Sequence, residues 1–378
     1  MADSKAATKG GLEGVVASDS AIAWIDGNKG ELRYRGYLIK DLAEQSRFAE
    51  TTYLLWKGEL PTSAQLDAFR KRLSDNRELP PLAMEILQKI APVQPPMDAL
   101  RTVVSVLSAN DVPGEVTDPE ANFERGVRLV AQFPTIVAAY ARLRKGQKPI
   151  APRRDLKHAA NFLYMLTGEV PAQETEQMFD TCLVLHAEHD FNASTFSARV
   201  TAATLTDMYS AICAAIGTLK GPLHGGANTE VMHMLLEIGS PDRVEAHVND
   251  LMARGEKIMG FGHRVYKVVD PRALILKEFS RKMARVTGNS TWFEMSERVE
   301  ALVKAKKSID MNVDFYSAST YYYMGIDPEL FTAIFAISRI SGWVAHVFEQ
   351  YANNRLIRPR SNWVGAADRE YTPIAARG

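Results

Sequence analysis

The chain reads as an all-α protein with one short β-hairpin near its start, and three observations carry that reading. After residue 36 almost every segment repeats its apolar residues at i, i+3 and i+4, the period of a helix with one buried face. Residues 21–36 instead alternate apolar and polar around Asp26-Gly27-Asn28-Lys29-Gly30, which is hairpin chemistry. Two further stretches, 202–219 and 328–351, are long enough and apolar enough to be central helices.

In chain order, the hairpin has Ile22, Trp24, Leu32 and Tyr34 as its apolar members. Helices follow over 42–56, 64–75, 81–89 and 98–108, separated by Pro- or Gly-containing breaks. Residues 111–120 and 145–153 read as loops. Segment 202–219 is rich in Ala and apolar nearly all the way round, so it is expected to be buried on every side, in a core or across a subunit interface. Segment 328–351 reads as a long amphipathic helix carrying Phe331, Ile334, Phe335, Trp343, Val344, Val347 and Phe348. Gly/Pro junctions at 221–226 and 325–328 isolate a middle segment of about 100 residues, a small-domain size, and are candidate hinges.

Bulk properties exclude several function classes. Lys plus Arg and Asp plus Glu both number 45, and a neutral chain lacks the basic surplus that nucleic-acid binding needs. The charge is uneven, however. Between residues 251 and 310 thirteen Lys/Arg face seven Asp/Glu, which is either a solvated basic face or a site for a polyanionic small molecule. Cys182 and Cys213 lie in apolar helical stretches without CxxC spacing and read as reduced thiols. The opening Met1-Ala2-Asp3-Ser4-Lys5 is polar, and no run approaches the roughly 18 apolar residues of a membrane span. No membrane association and a cytoplasmic location are therefore expected.

The residues with chemistry to offer sit in a few short motifs. His224 lies in Leu223-His224-Gly225-Gly226, just before a helix with Val231, Met234, Leu235 and Ile238 on its apolar face. The positive end of that helix would keep the imidazole neutral and able to donate to a developing enolate. It could equally be a loop histidine before a capped helix. His263 lies in Gly260-Phe261-Gly262-His263, where glycines let backbone approach a ligand closely. Asp270-Pro271-Arg272 starts a helix, and a first-turn arginine opposes the helix dipole unless it holds a carboxylate. Arg339 falls one turn from both Phe335 and Trp343, so it is a charge on an aromatic side that needs a partner, either a ligand or a structural acid. Asp314, in Asn312-Val313-Asp314, is either a helix cap or an isolated base. His186 and His189 have i, i+3 spacing without HExxH, so a metal is not expected, whereas core histidines or donors to a substrate carboxylate are. Two imidazoles and a carboxylate are what proton abstraction next to a carbonyl requires.

These segments together resemble the citrate synthase family over essentially the whole chain. The resemblance runs from Tyr34-Arg35-Gly36-Tyr37, through Gly58-Glu59-Leu60-Pro61-Thr62 and Met97-Asp98-Ala99-Leu100-Arg101, to Asn354-Arg355-Leu356-Ile357-Arg358-Pro359-Arg360. Pro222-Leu223-His224-Gly225-Gly226-Ala227, Gly260-Phe261-Gly262-His263-Arg264, Asp270-Pro271-Arg272 and Val313-Asp314 fit it in order and spacing. It implies a citrate synthase-like two-domain fold in a homodimer, with a large helical domain (1–224 and 326–378) and a small mobile helical domain (225–325). It also implies roles. Asp314 would remove a methyl proton from acetyl-CoA, His224 would donate to the thioester oxygen, and His263 would polarise the ketone of oxaloacetate. His189, His263, Arg272, Arg339 and, from the partner subunit, Arg358 would hold oxaloacetate. Lys257, Ile258, Met259, Gly260, Phe261, Lys267 and Asn312 would line the CoA site, which would account for the basic surplus. No metal or other cofactor is implied, since acetyl-CoA is a substrate. The longer N-terminal region that some bacterial members carry, associated with NADH inhibition, is not part of the resemblance.

Three other readings set the alternatives. A 2-methylcitrate synthase would use propionyl-CoA, and one methylene gives only ~1–3 kcal/mol of discrimination. A silent scaffold kept for oligomer contacts would be expected to lack one of His224, His263 or Asp314, and all three are present. A zinc hydrolase would need ligands beyond His186 and His189, and neither cysteine is placed to help.

Overall fold

The structure, a computed structural model, describes residues 10–12, 14–111, 113–366 and 368–377, so the polar opening segment lies outside it. The expected hairpin forms and gains a third strand: β1 (Ala23–Asp26), β2 (Glu31–Tyr34) and β3 (Tyr37–Leu38) are antiparallel in that order. Asp26 Oδ1 accepts from the N–H groups of Asn28 and Lys29, both at 3.0 Å, which closes the connecting loop. The register corrects the expected apolar face. Ala23 stands opposite Tyr34 and Ile25 opposite Leu32, so Trp24 falls on the other face beside Arg33 and is 49% exposed.

Helices make up the rest of the ordered frame. They are α1 (Ile39–Gln45), α2 (Phe48–Lys57), α3 (Ser63–Asp75), α4 (Pro81–Ile90), α5 (Pro96–Leu107), α6 (Pro119–Arg144), α7 (His158–Thr167) and α8 (Gln173–His186). There follow α9 (Ala193–Ala202), α10 (Met208–Leu219), α11 (Ala227–Ile238), α12 (Val244–Ala253), α13 (Pro271–Thr287), α14 (Thr291–Lys307), α15 (Val313–Tyr323) and α16 (Phe331–Ala352).

Three expected helices differ in the structure. The 42–56 helix is split at Ser46-Arg47, because Arg47 is extended and Asp180 on α8 accepts the Phe48 N–H at 2.9 Å, capping α2 from outside its own sequence. The 202–219 helix begins only at Met208, where Asp207 accepts the Ser210 N–H at 2.9 Å. It is not buried all round either, since Cys213, Ala214, Gly217 and Thr218 form a half-exposed stripe. The 328–351 helix starts with a 3-10 turn (Pro328–Leu330) and is enclosed on nearly every side rather than amphipathic. Among the described residues it is the one helix long and apolar enough to cross a membrane, and its apolar window is wholly inside the fold.

That enclosure places α16 at the centre, with α2, α6, α8, α9 and α10 packed around it. Helices α11 to α15 pack chiefly on one another, α13 and α11 on α15 and α12 on α14, with α13 also touching α1 and α8. The chain passes into and out of this group at one place. Thr332 Oγ1 donates to the Gly225 carbonyl and Thr229 Oγ1 to that of Pro328, each at 3.1 Å.

Candidate active site

Arg339, halfway along α16, is only 2% exposed. Its Nε donates to the His186 carbonyl at 2.8 Å, and its guanidinium lies 4.7 Å from the centre of the Phe335 ring. Among the described residues no carboxylate comes within ion-pair distance. Burial pushes its pKa down to about 10, opposed most by the charge of Glu188, which acts from a distance while its own Oε1 accepts from His346 Nε2 at 3.1 Å. The structural acid left open by the sequence is thus absent from contact, and the guanidinium remains an anion site. His186 has one nitrogen committed, Nδ1 donating to the Cys182 carbonyl at 2.8 Å, while its buried Nε2 has no partner among the described residues, and burial pushes its pKa down to about 3. Among the described residues no group of His, Cys, Asp and Glu has metal-site geometry.

His224 is fixed from a direction the sequence did not suggest. Its Nε2 accepts the Ser194 N–H at 3.2 Å and lies 2.8 Å from Ser194 Oγ, which in turn accepts from Trp343 Nε1 at 3.1 Å. Ser194 is in the first turn of α9, so the helix N-terminus that meets the imidazole is that of α9 and not that of α11. With Nε2 accepting, the proton resides on Nδ1. Burial, and then the Arg339 charge, hold the pKa down to about 4, so the ring is a neutral N–H donor. Ser194 escaped the sequence reading because a serine in Asn192-Ala193-Ser194-Thr195, just before Phe196, signals a helix start and nothing more.

His263 has the complementary tautomer. Its Nδ1 accepts the N–H groups of Val265 at 3.0 Å and Tyr266 at 3.2 Å, leaving the proton on Nε2. Burial, with Arg272 adding to it, pushes its pKa down to about 4. The ring stands edge-on to His189, with centres 5.2 Å apart, and His189 Nε2 lies 3.3 Å from the Tyr266 hydroxyl. The glycines before His263 serve packing as much as access. Gly260 has φ +84°, and a Cβ there would meet Phe315 and Val231 at 2.8 Å. Phe261 bridges to Met311, the Asn312 N–H donates to the Gly260 carbonyl, and Asn312 Nδ2 donates to that of Gly262, both at 2.9 Å. This pairing ties the His263 turn to the segment that carries Asp314.

Asp314 is not the cap of α15. Asn312 is, accepting the Asp314 N–H at 3.0 Å, and this frees the Asp314 carboxyl. The residue keeps part of its surface accessible, yet the carboxyl is crowded by protein, and burial pushes its pKa up to about 6 against the opposing pull of Arg272. Arg272 is 2% exposed and already holds a carboxylate, that of its own N-cap Asp270, with Nη2 to Oδ2 at 2.7 Å and Nε to Oδ1 at 3.0 Å. That internal pair offsets the dipole cost the sequence raised. Burial opposes ionisation of both partners, but each charge outweighs it, lowering the Asp270 pKa and raising that of Arg272. Asp270 Oδ2 also takes the Val313 N–H at 3.3 Å, beside Asp314.

The structure therefore brings His189, His224, His263, Arg272, Asp314 and Arg339 into one electrostatic neighbourhood. Arg339 acts on His189, His224 and Asp314, and Arg272 on His189, His263 and Asp314. Of the expected CoA contacts, Lys257 and Lys267 are exposed and, among the described residues, make no ion pair, while Met259 and Phe261 are half-buried. Ile258 is in the hydrophobic core, so only its backbone is open to a ligand role. Some of the thirteen basic side chains pair within the same stretch, as Lys277 does with Glu300 at 2.7 Å and Arg298 with Glu294 at 2.6 Å, and these pairs leave the surplus of bases over acids intact. Arg358 does not join the cluster within one chain and is exposed in the tail beyond α16.

A mainly helical fold built round a buried, anion-seeking arginine, two neutral imidazoles and a raised carboxyl defines an enzyme site for carbon-acid chemistry on a carboxylate substrate. Comparison with known proteins gives the family. The family described as "Citrate synthase, C-terminal domain" matches residues 11–360. The citrate synthase of Haloferax volcanii is 50% identical over 374 residues, covering 98% of this chain and 99% of that one. Citrate synthase from Thermotoga maritima superposes with a TM-score of 0.87 at 43% identity, over 98% of this chain and 99% of the other. That of Thermoplasma acidophilum, in a ternary complex with carboxymethyl coenzyme A and oxaloacetate, gives 0.91 at 33% identity, over 97% and 98%. A 2-methylcitrate synthase from Shewanella oneidensis is 42% identical across 100% of both chains. The chain belongs to the citrate synthase family.

Proposed function

We propose that this enzyme condenses acetyl-CoA with oxaloacetate and water to give citrate and CoA. The observation that carries the mechanism is the pair of neutral imidazoles whose other nitrogens are occupied by backbone N–H groups. Each presents one fixed donor to the site, Nδ1–H on His224 and Nε2–H on His263. Asp314 takes a proton from the acetyl methyl group while His224 donates to the thioester oxygen, forming an enol. The enol carbon attacks the oxaloacetate ketone as His263 donates to its oxygen, and hydrolysis of the resulting citryl-CoA thioester releases both products. Arg339, which no carboxylate contacts among the described residues, and His189 hold oxaloacetate. Arg272 does so through whatever its pair with Asp270 leaves open. The exposed Lys257 and Lys267, with Met259, Gly260, Phe261 and Asn312, border the CoA site. No metal or redox cofactor has a role in these steps.

Several features support the remaining parts of this reading. Leu356, Trp363, Val364, Tyr371 and Ile374 are 59–94% exposed in the tail that carries Arg358, and α10 has its half-exposed stripe of small residues. Both suit a homodimer in which Arg358 of the partner subunit completes each site. The paired contacts at Gly225 and Pro328 suit a hinge between a large domain (1–224 and 326–378) and a small one (225–325), and small-angle scattering with and without oxaloacetate tests whether the cleft closes. Cys182 and Cys213 are free thiols, in keeping with the cytoplasm.

Citrate synthases at up to 50% identity, against 42–43% for two 2-methylcitrate synthases, favour acetyl-CoA. Thiol release with oxaloacetate and either acyl-CoA tests this. Acetyl-CoA should give the higher kcat/KM by about tenfold or more. Equal or better use of propionyl-CoA would move the enzyme to the 2-methylcitrate branch.

A further inference from the structure

A second site is built where none of these residues lie. A cavity of about 440 Å³ opens between the start of α2, the end of α3, the 154–157 loop, the start of α7 and Asp180 of α8. On it stands Arg77, which is 4% exposed. Its Nη1 donates to the Arg153 carbonyl, and its own carbonyl accepts from Thr135 Oγ1 at 2.8 Å, so both backbone and head are held. Its Nε has no hydrogen-bond partner, and among the described residues no carboxylate pairs with it. Beside it His158 is 6% exposed, with Nε2 likewise unpartnered, and burial pushes its pKa down to about 3, so it is a neutral ring. A buried guanidinium and a buried imidazole line one cavity, and each has an unmatched nitrogen enclosed by protein, which is costly to the fold.

The charge around them is mixed but mainly basic, with three acids, Asp75, Asp155 and Asp180, on the wall. Arg47, Arg154 and Lys157 ring the cavity. Its three acids are paired or hydrogen-bonded within the fold: Asp75 to Lys71 at 2.5 Å and Arg154 at 3.7 Å, Asp155 to Arg153, and Asp180 to the Phe48 N–H. Ala49, Leu73 and Leu156 supply apolar wall, and the volume suits a small organic molecule. We propose that this cavity binds a phosphorylated small molecule, with the phosphate on Arg77 and His158 and the organic body against Leu73 and Leu156. A guanidinium fork pairs with carboxylate and phosphate alike, but a phosphate carries more charge and a third acceptor oxygen, so it can reach Arg77 and the rim cations together.

Calorimetric titration with inorganic pyrophosphate tests the site, after one equivalent each of oxaloacetate and carboxymethyl coenzyme A has filled the active site. One pyrophosphate per chain should still bind, and Arg77→Met should weaken it by about tenfold or more. Because a buried change at Arg77 could disturb folding, the double variant Arg154→Ala with Lys157→Ala, at the exposed rim, should weaken it independently. Unchanged affinity in the rim variant or in folded Arg77→Met overturns the proposal. So does tighter binding of tricarballylate, a polycarboxylate without phosphorus. The readout is binding rather than turnover, and the substitutions locate it, so its failure is separable from failure of the citrate synthase reading.

Discussion

The Nε2 of His224 accepts the backbone N–H of Ser194 at 3.2 Å while the hydroxyl of the same serine lies 2.8 Å away. One residue thus sets both the tautomer and the tilt of the imidazole. The amide alone keeps the proton on Nδ1, and the hydroxyl, itself held by Trp343, limits rotation. Ser194 acts through its contacts with His224, as a positioning residue. Ser194→Ala should lower kcat by about tenfold and leave the KM for oxaloacetate unchanged, because the loss falls on the transition state. Steady-state kinetics checks this, and a raised KM with full kcat would show that Ser194 serves binding instead.

Asp314 joins activity and stability through one carboxyl whose pKa burial pushes up to about 6. As a base it must be ionised, so kcat should fall as pH drops through about 6. Since His224 and His263 stay neutral down to about 4, that limb should show a single proton. Asp314→Asn should reduce turnover by about 10²–10⁴-fold with oxaloacetate binding intact. The stability sign is opposite. A raised carboxyl stabilises the fold below its unfolded pKa, and that contribution is lost as pH rises through the folded value. The asparagine variant carries no such loss, so it should melt higher than the parent at pH 7.5, with the difference shrinking at pH 5. Paired melts at the two pH values decide it; equal differences at both would mean the carboxyl is not held up.

Arg339 contributes to the ligand at the fold's expense. Replacing it by Met removes a buried cation without a contacting carboxylate, and leaves the His186 carbonyl without its donor. The two effects oppose one another, so the unliganded Tm should change little. Oxaloacetate, which raises the Tm of the parent by binding only the folded state, should no longer do so, and its KM should rise about a hundredfold. Thermal melts with and without oxaloacetate measure both. A large loss of stability in the unliganded variant would make Arg339 a structural residue.

What could be read from sequence followed from how local its cause was. Helical period, the Asp26 turn, the Asp270-Pro271 helix start and the anomaly of Arg339 each arise within a few residues, and all were legible. Long-range partners were not. Asp180 capping α2 across 132 residues divides a helix that looks continuous, and Ser194 reaches His224 across 30. The apolar face of β1 was misread because the register with β2 is set by pairing, and a shift of one residue exchanges the faces. The motif around Asp314 suggested a cap, and only the geometry gives that task to Asn312 and releases the carboxyl.

Arg358 tests the assembly. It is exposed in a tail whose large apolar side chains, among them Trp363 at 73% and Val364 at 94%, have little to cover them within one chain. If a second copy covers them, the arginine lies over the neighbour's site. Arg358→Ala and His263→Ala chains, each nearly inactive alone, should then complement when mixed. A mixed dimer has one site with both an intact His263 and an arginine supplied by the other chain, and one site with neither. With random exchange half the dimers are mixed, so activity should return to about a quarter of the parent value. Mass spectrometry of differently tagged chains verifies the exchange. If exchange is complete and activity stays at the level of the separate variants, Arg358 serves its own chain or none.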